Sequence, residues 1–363
     1  MIFKKKIMKI GVIGDTFMIK GTGSGSYLSY LFKYLLKFQS KDLKIVLILN
    51  KNKKSNKIPF DNCEVIYVSK YPIIKDLQLL SLDWIIINGI SIKSPLYFKI
   101  NRLVIIHGGY ELTNSKLKGY LSKKYWRNIL LLRSKINMTV SESSKKLLEA
   151  NLFKNKFYVN HCGVDHEIFK QIKKKKFSCN NYSLEDGEYL FHLSRYVPRK
   201  NSSDIFDVFK KVKERPSMSK LKLVIGGNGW ANEIENFLNQ NDFLTNDIIY
   251  LGFINSEDLP ILYSNALAFL FFSKYEGFGM PLMEAMSCKC ITIANNKYSL
   301  PEIALPESVF SLKKDKIKIV DYIENIYLNI ENRELLQEKN FLKSLEFDWN
   351  FAAMNVINLI KNG

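Results

Sequence analysis

The chain has 363 residues, 47% hydrophobic and 25% charged, with 54 Lys+Arg against 35 Asp+Glu. That length exceeds one ordinary core and predicts two domains. Apolar runs such as ALAFLFF (266–272) are too short to span a bilayer as a helix, and five scattered cysteines (Cys63, Cys162, Cys179, Cys288, Cys290) without a CxxC pair indicate neither a disulfide framework nor a structural zinc site. The net charge of +19 fits attraction to nucleic acid, an acidic membrane or a phosphorylated substrate, or a bias toward lysine along the whole chain.

MIFKKKIMKIGVIG opens the chain, and its lysine at 9 interrupts any signal-type apolar core, so it reads as a first buried strand and a cytoplasmic location is expected. MKIGVIG (8–14), LKIVLIL (43–49), CEVIYV (63–68), DWIIING (83–89) and RLVIIH (102–107) are β-branched runs of strand length, and SYLSYLFKYLLKFQ (26–39) has helical spacing. Continuous apolar strands alternating with helices predict a parallel sheet covered on both faces. INMTV (136–140) and KFYVN (156–160) extend it.

QIKKKKFSCNNYSLEDGE (171–188) is polar and charged and reads as a boundary loop. A second alternation follows: YLFHLS (189–194), a helix near 201–214, LKLVIGG (221–227), a helix near 231–239, and DIIYLG (247–252). Next come a short helix capped by Asn255 or Ser256 with Glu257 and Asp258 in its first turn, then ALAFLFF and CITIA (290–294). FDWNFAAMNVINLI (347–360) closes the chain as an amphipathic helix. The expected fold is α/β, two Rossmann-like halves facing a cleft.

The stretch YEGFGMPLMEAMSCKC (275–290) carries Glu276 and Glu284 around a glycine turn. It leaves a buried strand, so Glu276 falls on a loop at the carboxyl edge of the sheet, where α/β proteins bind ligands. Pro281 suits the first turn of a helix, which would also hold Glu284. Free N–H groups at that helix start can receive phosphate oxygens or sugar hydroxyls. On spacing alone, a plain capped helix with a first-turn acid accounts equally well for both glutamates.

EGFGMPLMEAM resembles the E-x7-E signature of retaining GT-B glycosyltransferases of family 4. Further landmarks follow in order. TVSESSKKLL (139–148) and HCGVDHEIF (161–169) are similar to segments of the first domain, the latter with Cys162 where asparagine is usual. LSRYVPRKN (193–201) is similar to the family's G-R-x-x-x-x-K-N element, with Ser194 in place of glycine, and LVIGGNG (223–229) and SLPEI (299–303) match the donor domain. FDWNFAAM resembles the closing helix that crosses back to the first domain. The resemblance implies a GT-B protein with residues 1–170 plus 346–363 on the acceptor side and 171–345 as nucleotide-sugar donor domain.

It also implies roles. Arg195 and Lys200 would hold the donor's diphosphate, with Arg199 an alternative to Lys200. The backbone at Phe278, Gly279, Met280, Pro281 and Leu282 would bind the donor's sugar and phosphates, Glu284 the ribose, and Glu276 the sugar near its anomeric carbon. GTGSGSY (21–27) fails the dinucleotide fingerprint and resembles the family's G-G-x-G-x-Y loop, with Gly25 and Ser26 as contacts. His107 would meet a donor-sugar hydroxyl, while His161, His166 and His192 read as packing residues. The implied reaction is metal-independent transfer, with retention, from a UDP- or GDP-type sugar to a glycan or lipid-linked acceptor in cell-surface polysaccharide, lipopolysaccharide or glycolipid synthesis. No cofactor and no nucleic acid are expected. The basic stretch SKLKGYLSKKYWRNILLLRSK (115–135), with Lys123, Lys124, Trp126 and Arg127, fits either a helix docking on an anionic membrane or one with a solvated basic face. A noncatalytic GT-B-like module binding a polyanion is the alternative.

Overall fold

The structure is a computed structural model that describes residues 7–15, 23–53, 58, 60, 62–68, 82–89, 100–109, 128–152 and 156–363. The chain divides into two compact units, Met1–Gly163 with Asp348–Gly363, and Val164–Phe347. The expected boundary at 170/171 lies seven residues too late and the return at 346 two too early. Val164 N–H donates to Phe347 O at 3.0 Å, so the chain enters and leaves the second unit at one hydrogen-bonded point.

In the first unit, β1 (Met8–Ile13), β2 (Leu43–Asn50), β3 (Glu64–Val68), β4 (Trp84–Asn88), β5 (Asn101–Ile106), β6 (Ile136–Thr139) and β7 (Tyr158–Val159) form one sheet in the order β3-β2-β1-β4-β5-β6-β7. Every pairing is parallel. Burial of both faces explains why these strands are near-continuous in Ile, Val and Leu. Helix α1 (Gly23–Leu36) begins earlier than its apolar spacing suggests, so Gly23 and Gly25 lie inside its first turn rather than in a loop before it. Helix α2 (Glu142–Asn151) is capped by Ser141, whose side chain accepts from Ser144 N–H.

The segment expected to be a boundary loop contains an antiparallel hairpin, β8 (Lys176–Cys179) and β9 (Tyr182–Glu185). Asn180 and Asn181 adopt φ 46° and 68°, the paired left-handed geometry of a two-residue hairpin turn that asparagine tolerates. Phe177, Cys179 and Leu184 are its buried positions. Lysines around them hide that alternation.

The second unit's main sheet has six parallel strands, β10 (Tyr189–Leu193), β11 (Lys222–Gly226), β12 (Ile248–Gly252), β13 (Ala268–Phe271), β14 (Thr292–Asn295) and β15 (Val309–Phe310), in the order β12-β11-β10-β13-β14-β15. Helices α3 (Ser202–Lys213) and α4 (Ala231–Leu238) alternate with the first strands. Helix α5 (Leu259–Asn265) starts later than predicted, because residues 256–258 form a turn and Asp258 is its N-cap. Helix α6 (Met280–Ser287) follows β13. Further along come α7 (Leu300–Ile303), α8 (Lys316–Leu328) and α9 (Ile330–Ser344).

Helix α10 (Trp349–Asn362) belongs to the first unit, the crossing back that the closing segment predicts. Trp349 stacks on Tyr30 at 5.6 Å between centroids and meets Tyr27 edge-on at 5.4 Å, while Asn160 Nδ2 donates to Ala352 O at 3.0 Å. The approach is close: a Cβ on Gly163 would stand 2.2 Å from Trp349 N. Only glycine fits there.

Among the described residues no helix is long and apolar enough to cross a membrane. Most of the basic stretch 115–135, including Lys123, Lys124, Trp126 and Arg127, lies outside the described residues.

Candidate active site

Each main sheet reverses its strand order once, between β1 and β4 and between β10 and β13. Connections leave such a point in opposite directions and open a crevice at the carboxyl ends of the strands, where α/β sheets place ligands.

In the second unit the turns after β10 and β13 meet there. The first is a short 3-10 turn, Pro198–Lys200, ending on Asn201 at φ 65° and ψ 51°. Asn201 Nδ2 donates to Phe272 O at 3.1 Å and Asp204 Oδ2 at 2.6 Å, tying the turn to the neighbouring strand. The second carries Glu276. Lys200 Nζ lies 2.6 Å and Arg199 Nη1 3.0 Å from the same Glu276 Oε1. Arg199 Nη1 also donates to Tyr275 O at 2.8 Å, and Lys274 N–H donates to Arg199 O at 2.8 Å. Asn295 Nδ2 donates to Ser273 O at 3.0 Å, and Ser299 Oγ sits 2.5 Å from Phe278 O and 3.1 Å from Glu276 O. The backbone around Glu276 is therefore held from three sides.

Burial alone would raise the Glu276 carboxyl, but Lys200 and Arg199 outweigh it and hold the group below its ordinary range. Lys200 is lowered by burial against the pull of Glu276, with Arg199 adding to the descent. Both directions are consistent with one carboxylate shared by two cations, which leaves positive charge in excess. Arg195 is exposed on the same turn. The structure thus brings Lys200, of the expected pair Arg195 and Lys200, onto Glu276 and adds Arg199 beside it.

Gly279 caps α6 at φ 127°, a conformation that side chains rarely adopt, and no side chain caps the helix start. Phe278 is buried against Phe347, with ring centroids 5.8 Å apart, while Met280 and Pro281 are half-buried and Leu282 is buried. Glu284 is the fifth residue of α6 and so lies in its second turn, not the first, because the helix starts at Met280 rather than nearer Pro281. Burial raises its carboxyl to about 7 despite Tyr263 Oη, which donates from 3.4 Å. His192 is a core residue: its Nδ1 faces Leu270 O at 2.8 Å and its Nε2 faces Ser194 Oγ at 2.9 Å, and burial lowers it to about 4.

The first unit assembles a neutral cluster at its own reversal. His107 follows β5, and its Nε2 lies 2.5 Å from Asn88 Oδ1. Asn88 Nδ2 donates to Ser24 O at 3.0 Å, in the first turn of α1 beside buried Gly25 and half-buried Ser26. With its amide committed to donating, Asn88 presents a carbonyl to the ring, which fixes the proton on Nε2 and leaves Nδ1 as acceptor. Burial lowers His107 to about 4. Its ring meets Tyr27 edge-on at 4.5 Å.

Asn88 and Tyr263 lie outside the motifs read in the sequence, and Asn201 and Ser299 lie inside LSRYVPRKN and SLPEI without a role read for them, since each acts through a partner distant in the chain. Among the described residues no three His, Cys, Asp or Glu side chains are placed to share a metal ion.

Two parallel-sheet Rossmann-like units, with an acid–base cluster and an uncapped helix start at the second unit's strand-order reversal, define a GT-B-type protein. Residues 173–341 match the family model of "Glycosyl transferases group 1". The chain is 28% identical over 180 residues to the O-antigen chain mannosyltransferase B of Escherichia coli, a match covering 50% of this chain and 47% of that relative. The chain thus spans about half the length of that curated relative. In structure it is similar to a sucrose-phosphate synthase from Thermosynechococcus elongatus, with a TM-score of 0.76, 15% identity and 98% of each chain covered. It is also similar to Anabaena HepE, solved in complex with UDP and glucose, with a TM-score of 0.69, 15% identity and 98% and 99% of the two chains covered.

Proposed function

We propose that the chain transfers a sugar from a nucleotide diphosphate sugar to an acceptor hydroxyl with retention of the anomeric configuration. The observation that carries this reading is the Lys200–Glu276–Arg199 cluster beside the Gly279-opened helix. A departing nucleoside diphosphate gains negative charge as the glycosidic bond breaks. An ammonium in a desolvated site and the N–H groups of a helix start stabilise that charge more than they stabilise the ground state. Lys200, with Arg195 on the same turn, would take the diphosphate, so that no metal ion is needed for that task. Backbone groups at residues 278–282 would bind sugar and phosphate oxygens, and Glu284 would accept from the ribose hydroxyls. Glu276 would lie against the positive character at the anomeric carbon. In the first unit Gly25, Ser26 and the neutral His107 would meet phosphate and sugar hydroxyls.

Charge supports an anionic acceptor surface. The first unit holds 30 Lys+Arg and 10 Asp+Glu, a net +20, and the second 24 and 25, a net −1. The excess is therefore not a compositional bias along the whole chain. A basic acceptor-side unit suits lipid-linked or polyanionic glycans at the cytoplasmic face of a membrane. Similarity to an O-antigen mannosyltransferase favours cell-surface polysaccharide synthesis. The test is a thermal-shift screen of UDP, GDP, ADP and their sugars, followed by donor hydrolysis with wild type, Glu276→Ala and Lys200→Ala. Binding and turnover by wild type, lost in both variants, is expected. Equal inactivity of all three would overturn the reading in favour of a noncatalytic binding module.

A further inference from the structure

Within LSRYVPRKN the family pattern assigns Arg195 and Lys200 and gives Arg199 no task beyond that of an alternative to Lys200. The structure ties Arg199 to the Glu276 loop at three points. Its guanidinium reaches Glu276 Oε1 and Tyr275 O at once, and its own carbonyl accepts from Lys274 N–H. Both contacts come from the one nitrogen Nη1, so its charge and reach rather than a two-nitrogen fork make the link. Lys200 is held differently: its Nζ contacts the carboxylate and lies 5.2 Å over the Phe271 ring.

If Lys200 takes up a diphosphate, its charge is no longer available to Glu276 alone. The Glu276 side chain is only 12% exposed, and a buried carboxylate without a counter-ion protonates or moves. The groups facing it are Lys200 and Arg199 from the 198–200 turn, neutral His192 from β10 and Ser273 from its own loop. Of these, Arg199 is the remaining cation.

We propose that Arg199 is the resident counter-ion of Glu276, a positioning residue that keeps the carboxylate ionised and aimed while Lys200 shares its charge with the donor diphosphate. This assignment rests on the glycosyltransferase reading for its purpose, but the counter-ion role itself can be read without turnover. Carboxyl-¹³C-labelled glutamate, with the Glu276 signal assigned by its loss in Glu276→Gln, gives the titration midpoint directly. In Lys200→Met protein, where Arg199 is the one cation left, the midpoint should stay at or below the ordinary carboxylate range. In the Lys200→Met, Arg199→Met double variant it should rise by about 1 pH unit or more, because burial then meets no opposing cation and only the Ser273 hydroxyl still favours the ionised form. The Lys200→Met, Arg199→Lys variant should keep the low midpoint.

With turnover as readout, Arg199→Met should lower kcat by about 10–100-fold with donor KM within about threefold, the pattern of a misplaced group rather than a lost ligand. The acid limb of kcat at saturating donor, which reports the complex and not the Glu284 binding limb, should shift upward, and Arg199→Lys should return it while recovering part of kcat. Unchanged midpoints in the double variant would overturn the proposal, as would a nucleotide affinity that falls in step with kcat, which would make Arg199 a diphosphate ligand. Failure of wild type to bind any nucleotide would sink the glycosyltransferase reading instead, and the titration midpoints would still decide whether Arg199 is the counter-ion.

Discussion

Donor binding should weaken as pH falls below 7, through Glu284. Burial sets its carboxyl at about 7, and its proposed partners are ribose hydroxyls, which donate. A protonated carboxyl loses acceptor capacity and offers a donor where two donors already stand, so the ionised form binds. The ionised fraction is about 0.9 at pH 8 and about 0.1 at pH 6, and affinity should fall by about tenfold between them, or about 1.4 kcal/mol. His107 and His192, both lowered to about 4, stay neutral over this window and add no slope of their own. The assay is calorimetric titration with an intact nucleotide sugar, whose diphosphate is esterified at both ends and does not titrate there. Buffers of different ionisation enthalpy report proton release at pH 6. Glu284→Gln should bind weakly and with no pH slope. Equal wild-type affinity at pH 6 and pH 8, or a slope that survives in Glu284→Gln, would refute the reasoning.

Lys200→Ala should lower kcat for donor hydrolysis by about 10²–10³, the usual cost of one transition-state donor, and leave the melting temperature close to wild type because Arg199 still neutralises Glu276. Gly163→Ala should destabilise by about 1–3 kcal/mol or more, since its Cβ would meet Trp349 N at 2.2 Å and push α10 from the first unit; a denaturant midpoint matching wild type would contradict this. Asn88→Leu should convert His107 from a single Nε2–H tautomer into a mixture, visible as a change in its ¹⁵N shifts, because the carbonyl that fixes the proton is gone.

Much of the fold is legible because parallel strands announce themselves. Runs such as LKIVLIL and ALAFLFF are buried on both faces and need no alternation to be read. The Lys176–Glu185 hairpin escapes for the opposite reason: its buried side is just Phe177, Cys179 and Leu184, interleaved with lysine and serine, and its turn rests on two asparagines rather than glycine. The site divides the same way. Glu276, Lys200 and Gly279 sit on motifs whose spacing reports local geometry. Glu284 is readable as part of the right helix but one turn early, because Pro281 at the second helical position invites an earlier count than the structure allows. Ser299 and Asn88 act across 21 and 64 residues of sequence, and no spacing rule reaches that far. Lys289 shows a third limit. It holds φ 58° just past the end of α6, a left-handed position that glycine usually takes, so the helix end is kept while the residue that usually marks it is absent.

The two units solve opposite electrostatic problems with opposite means. The first carries the net charge of +20 yet builds its local cluster from neutral groups, His107 and Asn88. The second is close to neutral overall and sets two of its 24 Lys+Arg, Lys200 and Arg199, against one part-buried acid, Glu276. Exposed charges are screened within about 8 Å at physiological salt, so an even spread of lysines acts on an extended anionic partner and hardly at all on one phosphate. Desolvated cations fixed by hydrogen bonds do the reverse, acting strongly on a single nearby anion with little sensitivity to salt. On the proposed reading, the global charge of this chain bears on what the protein approaches, and the small cluster at the β10–β13 reversal on the donor it would hold there.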